Sequence, residues 1–148
     1  TLSSSSAASD VYKRQIKHRA EDYIQIKGHR NLRTIYQQYE LFIAASQSEG
    51  FGLTLMEAVG SGLGMIGFDV NYGSPTFIRH HQNGYLISID FEQVSTDDIT
   101  TQIAHMIIRY FKDGPIRAHE VSYNIAESFK TSHIVDLWRQ LIEEVLYD

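Results

Sequence analysis

Apolar positions along this chain follow two patterns in turn. Short β-type runs occur at residues 23–27, 41–45, 65–69 and 85–89. The first alternates (Tyr23, Ile24, Ile26) and stops at Gly28, whereas Leu41-Phe-Ile-Ala-Ala45 is continuously apolar, as suits a strand covered on both faces. Between these runs, apolar residues repeat at helical spacing. Asn31 caps a predicted helix carrying Leu32, Ile35, Tyr36 and Tyr39. A second predicted helix runs from Leu53 to about Ser61, closed by Gly60 and Gly62. Pro75 suits the first position of a short helix reaching Arg79, and Asn83-Gly84 marks a turn at 81–84 because this pair tolerates positive φ.

The last third reads as three helices. Ser95 and Asp98 form a capping box ahead of Ile99, Ile103, Met106, Ile107 and Tyr110. Asp113-Gly-Pro115 breaks that helix, and another follows over residues 116–129. Thr131 or Ser132 caps the last, whose stripe of Ile134, Leu137, Trp138, Leu141, Ile142 and Val145 is expected to face a core. Strands alternating with helices predict an α/β fold: a Rossmann-like parallel sheet with flanking helices and right-handed crossovers. Loops 28–30, 46–52 and 70–75 each follow a predicted strand, so they are expected to meet at the carboxyl edge of the sheet, where such folds bind ligands.

Composition narrows this picture by exclusion. At 148 residues the length suits one domain, and 43% hydrophobic content is ordinary for a folded one. A net charge of −5 gives no support for a nucleic-acid partner. With no cysteine, disulfides and Cys-based metal or redox sites are excluded. No apolar run is long enough to span a membrane, and no secretory signal is visible. Residues 1–15 combine a serine run with Asp10-Val-Tyr-Lys-Arg-Gln15, which resembles a translated sequencing adapter. They read as a non-native, disordered leader, which makes residues 16–148 part of a longer protein.

The chemistry concentrates in residues 49–68, which hold six of the ten glycines and, as charged groups, only Glu49 and Glu57. Glycines and a mid-run carboxylate argue against a membrane helix and for backbone approaching a ligand. At 100° per residue, Leu55, Met56 and Val59 share one face of the helix beginning at Leu53, while Glu57 and Thr54 lie nearly opposite. Amides of Gly52, Leu53 and Thr54 at the helix start favour an anion such as pyrophosphate, and Gly50 and Gly52 clear space for it. Glu49 and Glu57 then stand on either side of an anion site. Carboxylates accept hydrogen bonds from hydroxyls. The matching ligand carries hydroxyls at both ends of a diphosphate, as a nucleotide sugar does. Either carboxylate alone reads more simply as a helix-start charge or a solvated helix face. The pair flanking Gly-Phe-Gly after a buried strand favours the site. Other constellations are bland: His80-His81 reads as turn surface, and Ser46 and Ser48 sit in no nucleophile elbow.

Glu49-x7-Glu57 enclosing Gly50-Phe51-Gly52 resembles the donor-site signature of retaining GT-B glycosyltransferases of the glycosyltransferase-4 type. Gly28-His-Arg-Asn-Leu32, Tyr39-Glu-Leu-Phe42 and Met65-Ile-Gly-Phe-Asp-Val-Asn-Tyr-Gly73 resemble the subfamily that begins O-glycosylation of serine-rich bacterial surface adhesins. The resemblance implies the C-terminal, donor-binding half of a GT-B fold, incomplete at its N-terminus. It implies transfer of N-acetylglucosamine from UDP to Ser/Thr of a serine-rich protein acceptor, with a homologous non-catalytic glycosyltransferase subunit as partner. A UDP-glucose-dependent teichoic acid glucosyltransferase and the non-catalytic partner subunit itself are the alternatives. Glu49 would orient the donor sugar. The Gly50, Phe51, Gly52, Leu53 and Thr54 backbone would hold sugar and phosphate, Glu57 the ribose, and His29 and Arg30 the base. No metal and no cofactor beyond the UDP-sugar is expected, and the location is cytoplasmic, with peripheral attachment at the inner membrane face as a variant. Two departures stand out: Pro75-Thr76 replaces a Pro-Glu pair, and among Lys17, Arg19 and Lys27 none matches the basic pair that grips the diphosphate.

Overall fold

A computed structural model describes residues 17, 19, 20, 22–25, 27 and 30–147. The chain divides into two units, Thr1–Asn31 and Leu32–Asp148. The leader expected over residues 1–15 lies outside the described residues. In the first unit the amides of Tyr23 and Ile24 both donate to the Ala20 carbonyl, at 3.2 and 2.8 Å. Those bonds close a turn where a strand over 23–27 was expected; Ile26 is outside the described residues. Alternation supplies a face for a strand but not the ladder partner that holds one.

The second unit begins with two single 3-10 turns, Leu32–Thr34 and Tyr36–Gln38, in place of the predicted α-helix. Ile35, Gln38 and Tyr39 amides bond three residues back, to Leu32, Ile35 and Tyr36 carbonyls. Of the predicted apolar stripe only Tyr36 is buried, so there is little packing to favour a longer α-helix. Three parallel strands follow, β1 (Leu41–Ala44), β2 (Gly64–Phe68) and β3 (Gly84–Ile87), in the order β1-β2-β3. Leu41 pairs with Gly64 and Met65 with Gly84. The central strand β2 is buried throughout. β1 is not: it has a neighbour on one side only among the described residues, and Ile43 is exposed, which corrects the reading of 41–45 as a fully covered strand.

Helix α1 (Leu53–Gly60) connects β1 to β2, and the short α2 (Gly73–Phe77) lies between β2 and β3. α3 (Thr96–Asp113), α4 (Ala118–Glu127) and α5 (Thr131–Tyr147) complete the chain. Successive side chains of β2 point to opposite faces. Met65 joins Leu55, Ala58 and Val59 of α1, Phe77, Ile78 and Ile125 of α4 in one core. Ile66 and Phe68 join Tyr85 and Ile87 in the other, covered by Ile99, Ile103, Met106, Ile107 and Tyr110 of α3. The α3 stripe and its capping box form as expected: Ser95 Oγ accepts from the Asp98 amide at 3.2 Å and donates to the Asp98 carboxylate at 2.7 Å.

The turn at 81–84 also forms, but its left-handed residue is His81 (φ 64°), not Asn83. Asn83 is instead fully buried. Its Oδ1 accepts from the Arg79 amide at 2.7 Å, and its Nδ2 donates to the Phe77 carbonyl at 3.0 Å and to Ser122 Oγ at 3.1 Å. Ser122 Oγ in turn donates to the Leu63 carbonyl at 2.6 Å, tying α4 to the start of β2. Gly84 is forced by packing, because a Cβ there would overlap the Met65 carbonyl of the neighbouring strand. α5 departs most from expectation. Its apolar stripe is present, yet Ile134, Leu137, Trp138, Leu141, Ile142 and Val145 are all exposed. Amphipathic spacing fixes which face is apolar, while burial requires a surface to receive it.

Candidate functional site: the start of helix α1

Because β1 and β2 are parallel, the loops that leave them, 45–52 and 69–72, emerge at the same edge of the sheet. They are bonded there. The Glu49 carbonyl accepts from the Tyr72 amide at 2.6 Å and from the Gly73 amide at 3.2 Å, and Glu49 and Tyr72 form a parallel bridge. Two glycines make this approach possible. A Cβ on Gly73 would stand 2.8 Å from both Glu49 Cγ and the Phe51 carbonyl. Gly52 has φ 84° and lies so close to Leu55 that a Cβ would come within 2.7 Å of it. Thr76 Oγ1 donates to the Tyr72 carbonyl at 2.8 Å and holds the second loop onto α2.

Gly52 is also the N-cap of α1. It offers no capping side chain, and the first turn of the eight-residue helix carries no acidic residue. Its leading amides and the positive end of the helix dipole are therefore unopposed locally, which suits an anion. Gly50 is exposed, and a Cβ there would meet nothing within 4 Å, so open space adjoins the loop. Leu53 and Thr54 are exposed at the helix start. Glu57 is exposed too, while Leu55, Ala58 and Val59 are completely buried. The helical projection thus placed the carboxylate correctly, away from the core. Glu49 is half-buried beside the α1 start.

Phe51 divides its work. Its backbone belongs to the loop, but its ring makes edge contacts with Phe77 (5.4 Å between centroids) and Phe129 (5.8 Å), which themselves pack at 5.0 Å. The loop is thus anchored by an aromatic side chain. His29 is outside the described residues. Arg30 is exposed in the first unit, its Nε donating to the Lys27 carbonyl at 3.1 Å. So the structure brings the 46–52 and 70–75 loops together as expected, and the 28–30 loop cannot be added to them.

Sequence reasoning passed over Tyr72 and Gly73 as site-forming residues, although a Tyr-Gly pair after a buried strand was a usable signal. It also passed over Tyr36. This residue packs with Leu55, Ala58 and Val59 and sets its ring edge-on to Phe42 at 6.0 Å. Burial, and after it the negative charge of Glu57, hold the Tyr36 phenol above its ordinary pKa. Among the described residues no group of three or more His, Cys, Asp and Glu could hold a metal ion, and no helix is long and apolar enough to cross a membrane.

A parallel α/β architecture with an uncapped helix start after the first strand is an arrangement that suits a phosphorylated ligand. The sequence matches the family described as glycosyl transferases group 1 over residues 4–113, and the chain belongs to that family. It is 52% identical over 132 residues to the UDP-N-acetylglucosamine–peptide N-acetylglucosaminyltransferase GtfA subunit of Streptococcus pneumoniae serotype 4, covering 88% of this chain and 26% of that protein. The crystal structure of the pneumococcal O-GlcNAc transferase GtfA in complex with UDP and GlcNAc superposes with a TM-score of 0.83 at 49% identity, covering 95% of this chain and 28% of that one. The crystal structure of a GtfA/B complex gives 0.81 at 46% identity, again covering 95% and 28%. The parallel sheet and its helices are thus those of this GT-B fold, and the chain spans about a quarter of the length of the relatives it matches.

Proposed function

We propose that residues 16–148 are the donor-binding part of a retaining glycosyltransferase. The intact protein transfers N-acetylglucosamine from UDP to Ser or Thr hydroxyls of a serine-rich protein. The observation that carries this reading is the uncapped start of α1, flanked by Glu49 and Glu57 and locked to the Tyr72–Gly73 loop through the Glu49 carbonyl. The relatives whose names specify UDP-N-acetylglucosamine and peptide support the choice of donor and acceptor. The GtfA/B structure supports a homologous partner subunit.

In this reading Glu49 orients the sugar hydroxyls, the backbone of residues 50–54 contacts sugar and phosphate, and Glu57 accepts from the ribose diol. His29 and Arg30 border the base. The bond between the sugar anomeric carbon and the UDP oxygen breaks, and one to the acceptor oxygen forms on the same face. The acceptor hydroxyl's proton goes to the departing diphosphate oxygen, whose developing charge is met by the α1 amides without a metal. The protein works in the cytoplasm.

Glu57→Ala in the intact protein tests the site. A charge-assisted hydrogen bond is worth about 1.5–3 kcal/mol, so UDP affinity should fall by roughly 10- to 100-fold in titration calorimetry. Unchanged affinity refutes the donor-site reading. The 148-residue chain by itself should transfer no sugar, and measurable turnover of UDP-N-acetylglucosamine by it would contradict the proposed division of labour.

A further inference from the structure

Three large apolar side chains are exposed along the two joined loops and the start of α1: Phe51, Leu53 and Tyr72. The Phe51 ring is engaged by Phe77 and Phe129, and Leu53 belongs to the helix. Tyr72 is 76% exposed, and among the described residues its ring makes no aromatic contact and its hydroxyl no hydrogen bond. A single exposed aromatic residue is ordinary on a protein surface. What distinguishes Tyr72 is the backbone beneath it.

The Tyr72 amide donates to the Glu49 carbonyl at 2.6 Å, and the Tyr72 carbonyl accepts from Thr76 Oγ1 at 2.8 Å. The following residue, Gly73, is buried and donates to the same Glu49 carbonyl at 3.2 Å. The parallel bridge sets Glu49 and Tyr72 side by side. A free ring thus stands on main chain that is fixed on both sides of it, next to a candidate site carboxylate. Such a side chain has only two torsions to settle when it packs on a ligand, so ordering it costs little. A lysine or glutamine in the same place would lose more rotamer freedom.

Its position also selects which part of a donor it meets. In the proposed reading Glu49 meets the sugar and Glu57, eight positions further on, the ribose. The residue bridged to Glu49 therefore belongs to the sugar end. Space is open there: Gly50 is exposed, and a Cβ on it would meet nothing within 4 Å. A pyranose presents hydroxyls around its rim and C–H groups on its faces. A carboxylate suits the rim, and the electron-rich face of an aromatic ring suits the C–H groups.

We propose that Tyr72 is a donor-sugar contact: its ring packs against the C–H face of the transferred N-acetylglucosamine while Glu49 accepts from the hydroxyl rim. This rests on the sugar role of Glu49 proposed above. Tyr72 makes and breaks no covalent bond, so its effect is on how the sugar is held.

Calorimetry on the intact protein tests this with UDP and UDP-N-acetylglucosamine, in wild type, Tyr72→Ala, Tyr72→Phe and Glu57→Ala. Tyr72→Ala should weaken the UDP-sugar about 3- to 10-fold and leave UDP within about 2-fold. Tyr72→Phe keeps the ring face and should hold both affinities within about 2-fold. Because the side chain is exposed, Tyr72→Ala should melt within about 2 °C of wild type. The inference is overturned if Tyr72→Ala leaves the UDP-sugar affinity unchanged or weakens UDP equally. It is overturned too if Tyr72→Phe loses as much as Tyr72→Ala, or if only the KM for the acceptor peptide rises. Glu57→Ala separates two levels of failure. Should it leave UDP affinity intact, the donor-site reading fails and this inference with it. Weaker UDP binding in Glu57→Ala beside a silent Tyr72→Ala removes only the sugar contact.

Discussion

The carbonyl of Glu49 accepts hydrogen bonds from two successive amides, those of Tyr72 and Gly73, so the backbone of one candidate site residue fixes the next loop. The role assigned to Glu49 therefore has two parts. In the proposed reading its side chain meets the donor sugar, while its main chain ties the two loops together. Substituting the side chain leaves the second part intact.

The glycines on either side of that contact should behave differently. Gly73→Ala drives a Cβ against Glu49 Cγ and the Phe51 carbonyl, so the two loops must separate. A destabilisation of about 1–3 kcal/mol and weaker UDP binding are expected together. Gly50→Ala meets nothing within 4 Å and should leave stability within about 0.5 kcal/mol. If the space beside Gly50 is where the sugar lies, donor affinity falls even so. Thermal melts paired with calorimetry separate the two effects.

Ser122→Ala removes the hydroxyl that donates to the Leu63 carbonyl and accepts from Asn83 Nδ2. Both former partners are left buried with one bond fewer, at a cost of about 1–3 kcal/mol. Denaturant unfolding should show the loss, with UDP affinity at low denaturant unchanged because Ser122, Leu63 and Asn83 all lie outside the 49–57 stretch.

His80 makes part of the stability pH-dependent. Its pKa is lowered, chiefly by burial and then by the charges of His81 and Arg109, which outweigh the opposing pull of Asp69 and Leu86. The Leu86 amide donates to His80 Nδ1 at 3.0 Å, an acceptor available only on the neutral ring in its Nε2–H tautomer. With the folded pKa below the ordinary 6.5, the unfolded chain takes up the proton first as pH falls. The contribution is thus complete above about pH 6.5 and declines below it. His80→Asn, which keeps an acceptor but does not titrate, should flatten the fall in melting temperature between about pH 8 and about pH 5.

What was legible in the sequence was whatever a local pattern determines. Glycines bounding an apolar run gave α1 and β2 nearly to the residue, and one turn of helical geometry put Glu57 on the exposed side. Ser95 and Asp98 announced their cap. The misses all concern properties that a second segment confers. The residues of β1 are apolar enough for a central strand, but exposure of Ile43 depends on how many neighbours the strand has. Tyr36 read as one member of a helical stripe, whereas two 3-10 turns make it the sole buried residue there. Asn83 read as a turn former beside Gly84, and nothing local hinted that Ser122, 39 positions away, would complete a buried network with it. The stripe on α5 was seen and its burial was not delivered, for the same reason.

Phe51 carries a consequence for anyone wishing to move this site elsewhere. The loop from Glu49 to Thr54 looks like a short cassette, contiguous and glycine-rich. Its ring, however, is seated between Phe77, at the end of α2, and Phe129, just beyond α4. Transplanting the six residues into another parallel sheet would transfer the amides without their socket. The smallest portable unit is the loop together with two aromatic residues that are 26 and 78 positions downstream of Phe51.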